Sequence, residues 1–223
     1  MILIGISLTV VAYMISLYLS KRFRISLMNP ILISAAIIVA TIYWTPLTYE
    51  LYKPGGDAIV SVLGPLVVVL AVPLYNNKSV LLKYYKAISV GIMTGVIVSA
   101  VSVVGISLLL NLEADIIWSM LPKSITSPMA IEVAIMLDGI VELTVLFVAC
   151  TGILGAAIGP SVFQLFRIKD DTAKGIGLGA ASHGVGTSKA VEISGEAGAA
   201  SSLAMVLSGV VTIVIAIIFV RII

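Results

Sequence analysis

The sequence predicts an all-α, polytopic membrane protein, and three observations carry that prediction. Of 223 residues, 60% are hydrophobic and only 11% are charged, against roughly 45–50% and about 25% in soluble domains. The apolar residues gather into runs long enough to cross a bilayer, and 19 glycines and 8 prolines punctuate those runs, as interrupted membrane helices require. The composition excludes a water-soluble enzyme domain, a nucleic-acid binder and a disordered scaffold. A net charge of +2 is too small to recruit a polyanion. Cys150, the single cysteine, cannot form an intrachain disulfide and offers no thiolate metal site. No cofactor or metal is expected.

A spanning helix needs about 20 mostly apolar residues, because ~1.5 Å per residue must cover ~30 Å of hydrocarbon. Such segments fall at 2–20, 30–46, 57–76, 88–110, 116–137, 139–166, 173–193 and 199–220. In the first, Lys21, Arg22 and Arg24 follow the apolar run instead of preceding it, which reads as a spanning helix and not as a cleavable signal peptide. Neither a soluble domain nor a long linker is expected, so residues 1–223 read as one transmembrane domain.

Basic residues then set sidedness. If every segment crosses, the cluster Arg167, Lys169, Lys174 falls on the face opposite Lys21, Arg22, Arg24 and Lys78, Lys83, Lys86. If 116–137 instead dips in and returns, ten cations lie inside and only Lys53 outside, with Lys123 and Lys189 in the membrane. Pro122 and Pro128 bracket Lys-Ser-Ile-Thr-Ser in that segment. Proline removes a backbone donor and breaks a helix, which suits a re-entrant hairpin. The prediction is therefore about seven crossings and one hairpin, with the C-terminus inside. The segments of 30–110 and 139–220 then run in opposite senses, as an inverted repeat around the hairpin.

In each half the middle segment is predicted to be broken, the two breaks crossing near the midplane. Gly64-Pro65 and Pro73 interrupt 57–76, while 173–193 carries a glycine-rich stretch and the only histidine, His183. Unwound backbone at membrane depth is tolerated where it lines a cavity or packs in protein. Half-helix N-termini there present free N–H groups that suit a carboxylate. The candidate substrate-binding residues are Ser182, His183, Gly184, Thr187 and Lys189 at the break, with Ser124, Thr126 and Ser127 at the hairpin. His183 and Glu142 are the candidates for proton coupling. Each has a plainer reading: His183 bonding only the broken backbone, Lys189 snorkelling to the surface, and the hairpin hydroxyls capping half-helices. Gly152, Gly155 and Gly159 read as a packing surface.

Other motifs fail. Gly175-x-Gly177-x-Gly179 lacks the dinucleotide spacing and follows no strand. Ser182 and His183 are adjacent with no third group to orient the imidazole, so no catalytic residues are assigned and an enzyme is not expected. Tyr43, Trp44, Tyr75, Tyr84 and Tyr85 stand at span ends as interfacial anchors.

Three stretches, Leu-Ala-Val-Pro-Leu-Tyr (70–75), Leu-Pro-Lys-Ser-Ile-Thr-Ser-Pro-Met-Ala (121–130) and Ala-Ser-His-Gly-Val-Gly-Thr-Ser-Lys-Ala-Val-Glu (181–192), closely resemble signatures of the LrgB/CidB family. Leu-Phe-Arg-Ile-Lys-Asp (165–170) and Ser-Ser-Leu-Ala (201–204) are similar as well, so the resemblance covers essentially the whole chain. The family pattern usually has Arg where this chain has Lys189, which keeps the charge but loses the bidentate fork. The resemblance implies a multi-pass protein of the cytoplasmic membrane. It implies either antiholin-like control of murein hydrolase activity with an LrgA/CidA-like membrane partner, or carriage of small carboxylates such as pyruvate and glycolate. Plant plastid relatives resemble glycolate/glycerate transporters. The expected partners are a small carboxylate anion, the lipid bilayer, an LrgA/CidA-like protein and further copies of the chain, without nucleic acid. Interrupted helices and midplane polar groups favour the carrier.

Overall fold

The computed structural model describes residues 2–23 and 30–222, and every regular element among them is helical. Arg24, counted above as an inner cation, lies outside the described residues. The chain divides into two compact units, Met1–Leu66 and Val67–Ile223.

The first unit holds α1 (Ile2–Phe23), α2 (Pro30–Trp44) and α3 (Tyr49–Val60). Pro30 opens α2, where its missing N–H is no loss. The sequence places a loop before residue 57, yet α3 runs through Pro54-Gly55-Gly56. The reason is close packing on α1: a Cβ on Gly55 would strike the backbone of Gly5, and one on Gly5 the backbone of Tyr52 and Gly55. Thr9 Oγ1 and Tyr52 Oη, 3.1 Å apart, tie the same two helices.

Residues 57–76 do not form one spanning helix. After α3 come α4 (Leu63–Val69) and α5 (Ala71–Asn76). Pro65 and Pro73 each sit third in their helix, within the first turn, where a proline forfeits no internal hydrogen bond.

The second unit continues with α6 (Lys78–Leu109), α7 (Ala114–Met120), α8 (Ser127–Met136), α9 (Val141–Leu165), α10 (Asp171–Ile193) and α11 (Gly195–Ile222). Its long helices share two ends. At one, Tyr84 of α6 and Thr172 of α10 both donate to Glu196 Oε1 of α11, at 3.2 and 2.9 Å. At the other, the Trp118 and Phe219 rings lie 5.4 Å apart. Ser119 also receives the start of α9 there: the Ile140 N–H donates to its Oγ (2.7 Å) and Thr144 Oγ1 to its carbonyl (3.0 Å). Among the described residues four helices are long and apolar enough to cross a membrane, α1, α6, α9 and α11, with α2 and α8 apolar but shorter.

The predicted hairpin forms, with α7 leading in, a turn over 121–126, and α8 leading back until Gly139 packs against Trp118 and Ser119. Pro122 falls in the turn and Pro128 in the first turn of α8.

The segment 173–193 requires a correction. It breaks where expected, at Ser182 and His183, whose backbones leave the helical region (φ −136°, ψ 16° and φ 42°, ψ −130°). The helix does not run straight on there; it turns back. A Cβ on Gly186 would strike the Leu178 carbonyl, and Leu178 packs with Ala190, contacts that a straight helix at ~1.5 Å per residue forbids. At the mouth Asp171 takes hydrogen bonds from Lys174 and Ser194, and these hold its carboxyl below the usual range. α10 is thus a second hairpin, with halves 171–181 and 184–193, entering from the Glu196 end. α11 consequently starts at that end and finishes beside Trp118, opposite to the end at which the Lys83–Lys86 and Arg167–Lys174 segments lie. The expected pairing of 30–110 with 139–220 does not survive, because 173–193 reverses within itself.

Glycine makes this packing possible. A Cβ on Gly175 or Gly179 would fall on the carbonyls of Ala197 and Ser201, so α10 and α11 touch backbone to backbone. In lipid, where burying an apolar side chain gains little over the tails, such close van der Waals contact is what associates helices.

Candidate functional site

The two hairpins point at each other from opposite ends, and their tips meet a cavity of about 850 Å³. α6 supplies Thr94, Gly95 and Ser99, and α9 supplies Thr151, Gly155 and Gly159. The first hairpin contributes Lys123 and Ser124, the second Ala180, Ala181 and Ser182. Among the described residues Lys123 is the one charged side chain lining it. Its Nζ donates to Ser99 Oγ (2.9 Å), which lies 3.1 Å from Ser124 Oγ. No carboxylate pairs with Lys123 among the described residues.

Ser182 supplies the second polar feature. Its side chain is 1% exposed, it lines the cavity, and its Oγ has no hydrogen-bond partner among the described residues. An orphaned buried hydroxyl costs about 1–3 kcal/mol, and here that cost sits at the cavity wall, against Gly155 of α9.

His183, beside it, also packs on α9. Its Nε2 lies 3.0 Å from the Val148 carbonyl, and because a carbonyl only accepts, Nε2 carries the proton and donates. A Cβ on Gly152 would strike the imidazole, and one on Gly155 would fall on Ser182 Oγ. The glycine row of α9 is therefore the bed on which the second tip lies. A non-glycine residue at φ 42° costs of order 1–3 kcal/mol and persists only when its surroundings hold it; the His183–Val148 bond is that hold.

Of the candidate binding and coupling residues named from the sequence, Ser124 and Ser182 line the cavity and the others do not. Thr126 is buried at the N-terminal end of α8 with its Oγ1 unpartnered among the described residues, and Ser127 is the first residue of that helix. Thr187 Oγ1 donates to the His183 carbonyl and lies 2.9 Å from Ser201 Oγ, which ties the second hairpin to α11. Gly184 is exposed, and Lys189 is paired with Glu192 at 2.7 Å on the half-exposed flank of α10. Glu142 is exposed in the first turn of α9. Lys123 and Ser99 are not among the residues that the sequence singles out as candidates. Lys123 gave a signal, as a cation in the membrane interior with no acid nearby in sequence; Ser99 gave none.

The positive charge facing the cavity thus comes from a lysine, not from helix N-termini: the second hairpin presents the C-terminal turn of its first half. Such a lining can bind a small anion at one end and hydrogen-bond it at the other.

The LrgB-like family model matches residues 9–222. Among curated proteins, YxaC of Bacillus subtilis is 39% identical over 93% of this chain and 90% of its own length. The holin-like protein CidB of Staphylococcus epidermidis is 37% identical, over 94% and 92%. The uncharacterised YwbG of Bacillus subtilis is 35% identical, over 95% and 94%. No solved structure matches. With helices able to cross a bilayer and a family match over nearly its whole length, this chain is a multi-pass membrane protein that belongs to the LrgB-like family.

Proposed function

We propose that the protein is a secondary transporter of small hydroxy- or keto-carboxylates, of the size of glycolate or pyruvate, across the cytoplasmic membrane. The observation that carries this reading is Lys123, a cation without an acidic partner, held by Ser99 at a cavity where two opposed hairpin tips meet. A regulator needs no such cavity, whereas a carrier needs a midplane site reached from both sides. Sidedness follows from charge: Lys78, Lys83, Lys86, Arg167, Lys169 and Lys174 belong to the segments at the Glu196 end, which becomes the cytoplasmic face. The reading is of a binding protein and not an enzyme, in keeping with a His183 imidazole committed to Val148 and a Ser182 hydroxyl without a base.

An inverted repeat belongs to this reading, with boundaries other than those expected. Each unit is a hairpin followed by a crossing helix, 114–165 and 171–222. Hairpin starts, hairpin ends and helix ends are all displaced by 57 residues: Ala114 and Asp171, Met136 and Ile193, Leu165 and Ile222.

The test is counterflow of labelled pyruvate, glycolate and lactate into proteoliposomes holding this chain alone, beside Lys123→Met. The expected result is saturable uptake, reduced roughly tenfold or more in the variant, the loss of one charged hydrogen bond to the ligand. The second reading, an antiholin-like regulator working with an LrgA/CidA-like partner, is favoured by the holin-like name of CidB. It prevails if well-folded protein carries none of these anions, alone or with that partner.

A further inference from the structure

A second cavity of about 440 Å³ lies toward the Trp118 end, among Trp118, Leu121, Ile125, Thr212, Ala216 and Phe219, with no charged side chain in its lining. Ser99, Ser124 and Ala180 line both cavities. The wall between them takes one small residue from α6, one from the first hairpin tip and one from the second hairpin. A wall serving only as core would be filled by large interlocking side chains. The residues shared by both cavities offer two hydroxyls and a methyl group. What closes it is a chain of hydrogen bonds, Lys123 Nζ to Ser99 Oγ at 2.9 Å and Ser99 Oγ to Ser124 Oγ at 3.1 Å. Lys123 touches only the first cavity.

An anion arriving in the first cavity gives Lys123 a better acceptor than a neutral hydroxyl, since charge-assisted hydrogen bonds are roughly twice as strong. Ser99 then loses its donor and the chain across the wall is broken at its first link. We infer that the two cavities are halves of one pathway and that Ser99, Ser124 and Ala180 form its constriction, shut by the Lys123–Ser99–Ser124 chain and released when a carboxylate takes Lys123. The choice of ligand rests on the transport reading; the constriction itself does not. It also makes these three residues determinants of the width a substrate can have.

Two experiments test it, both in a Cys150→Ser background. Thr212→Cys places one thiol in the second cavity, and a membrane-impermeant thiol reagent is added on the side of the basic clusters. Adding Ser99→Ala and Ser124→Ala is expected to speed its modification by roughly fivefold or more, since the closing bonds are gone. An unchanged rate in well-folded protein overturns the constriction. In the second experiment Ser99→Cys and Ser124→Cys are oxidised to a disulfide. Flux of labelled pyruvate should fall roughly tenfold and return on reduction, the return showing that the variant is folded. Undiminished flux through protein whose disulfide is verified by mass also overturns it. Faster modification of Thr212→Cys in a protein that carries no carboxylate leaves the constriction standing and removes the transport reading instead.

Discussion

Ser182 holds a hydroxyl that gains nothing from the protein around it, fully buried and unpartnered among the described residues. Ser182→Ala should therefore leave the ligand-free protein as stable as before, or raise its melting temperature slightly, because a penalty of about 1–3 kcal/mol is removed. The same change should abolish most of the melting-temperature rise that saturating pyruvate or glycolate gives the parent. Thermal unfolding in detergent with and without ligand reads both. A lowered ligand-free stability with an intact ligand shift would assign Ser182 to packing alone. His183 predicts the reverse. His183→Ala deletes the Nε2–Val148 bond that steadies a backbone at φ 42°, so it should lower stability by about 1–3 kcal/mol with or without ligand.

These residues also show what the sequence makes legible. A lone histidine inside a glycine-rich membrane segment announces the break, since both are costly in a plain helix. Its neighbours do not announce where each side chain settles: Ser182 lies on Gly155 of α9 at the cavity wall and His183 on Gly152, and no local pattern encodes that. Lys189 and Lys123 form the sharper contrast. Both are cations inside apolar segments, but Lys189 has Glu192 three residues on, on the same helical face. Lys123 has no acid within seven residues on either side, and its partner Ser99 is 24 residues away in another helix.

At the scale of the element, length is what misleads. Residues 173–193 have the extent of one crossing, and a break in their middle reads as an interrupted span. The reversal depends on contacts between positions far apart, Gly175 on Ala197, Gly179 on Ser201 and Gly186 on Leu178, which no periodicity reveals. The first hairpin was legible because two prolines bracket its turn. A reversed α10 makes a direct prediction. In a Cys150→Ser background, single cysteines at Lys174 and at Ser194 should react with an impermeant thiol reagent from the same side of the membrane, although 20 positions separate them in the numbering. Modification from opposite sides would restore the single crossing. Gly179→Val tests the same packing energetically. Its side chain has only the Ser201 backbone to push against, so an overpacking cost of roughly 1–3 kcal/mol or more is expected, seen as a lowered melting temperature, whereas Gly64→Ala, open within 4 Å, should change little.

For the second unit as a whole, the quantity that decides the proposed transport is the charge a substrate would meet along its way. Of the residues lining the two cavities Lys123 alone is charged, and both cavities are otherwise apolar walls with scattered hydroxyls. One carboxylate neutralises that lysine. A second carboxylate on the same substrate would sit in the same low-dielectric space without a counter-charge, and an unpaired buried charge costs several kcal/mol. Size cannot account for the discrimination if the comparison is made between three-carbon acids. Malonate should therefore inhibit counterflow of labelled pyruvate roughly tenfold or more weakly than lactate does, a gap of about 1.4 kcal/mol at the least. Adding a second cation should narrow it: Thr151→Lys, on the α9 wall of the cavity, places an amine across from the first hairpin tip and should improve inhibition by malonate relative to lactate. Equal inhibition by malonate and lactate in the parent would mean that Lys123 does not meet the substrate's charge, and the anion would have to be held by backbone amides that this cavity does not present.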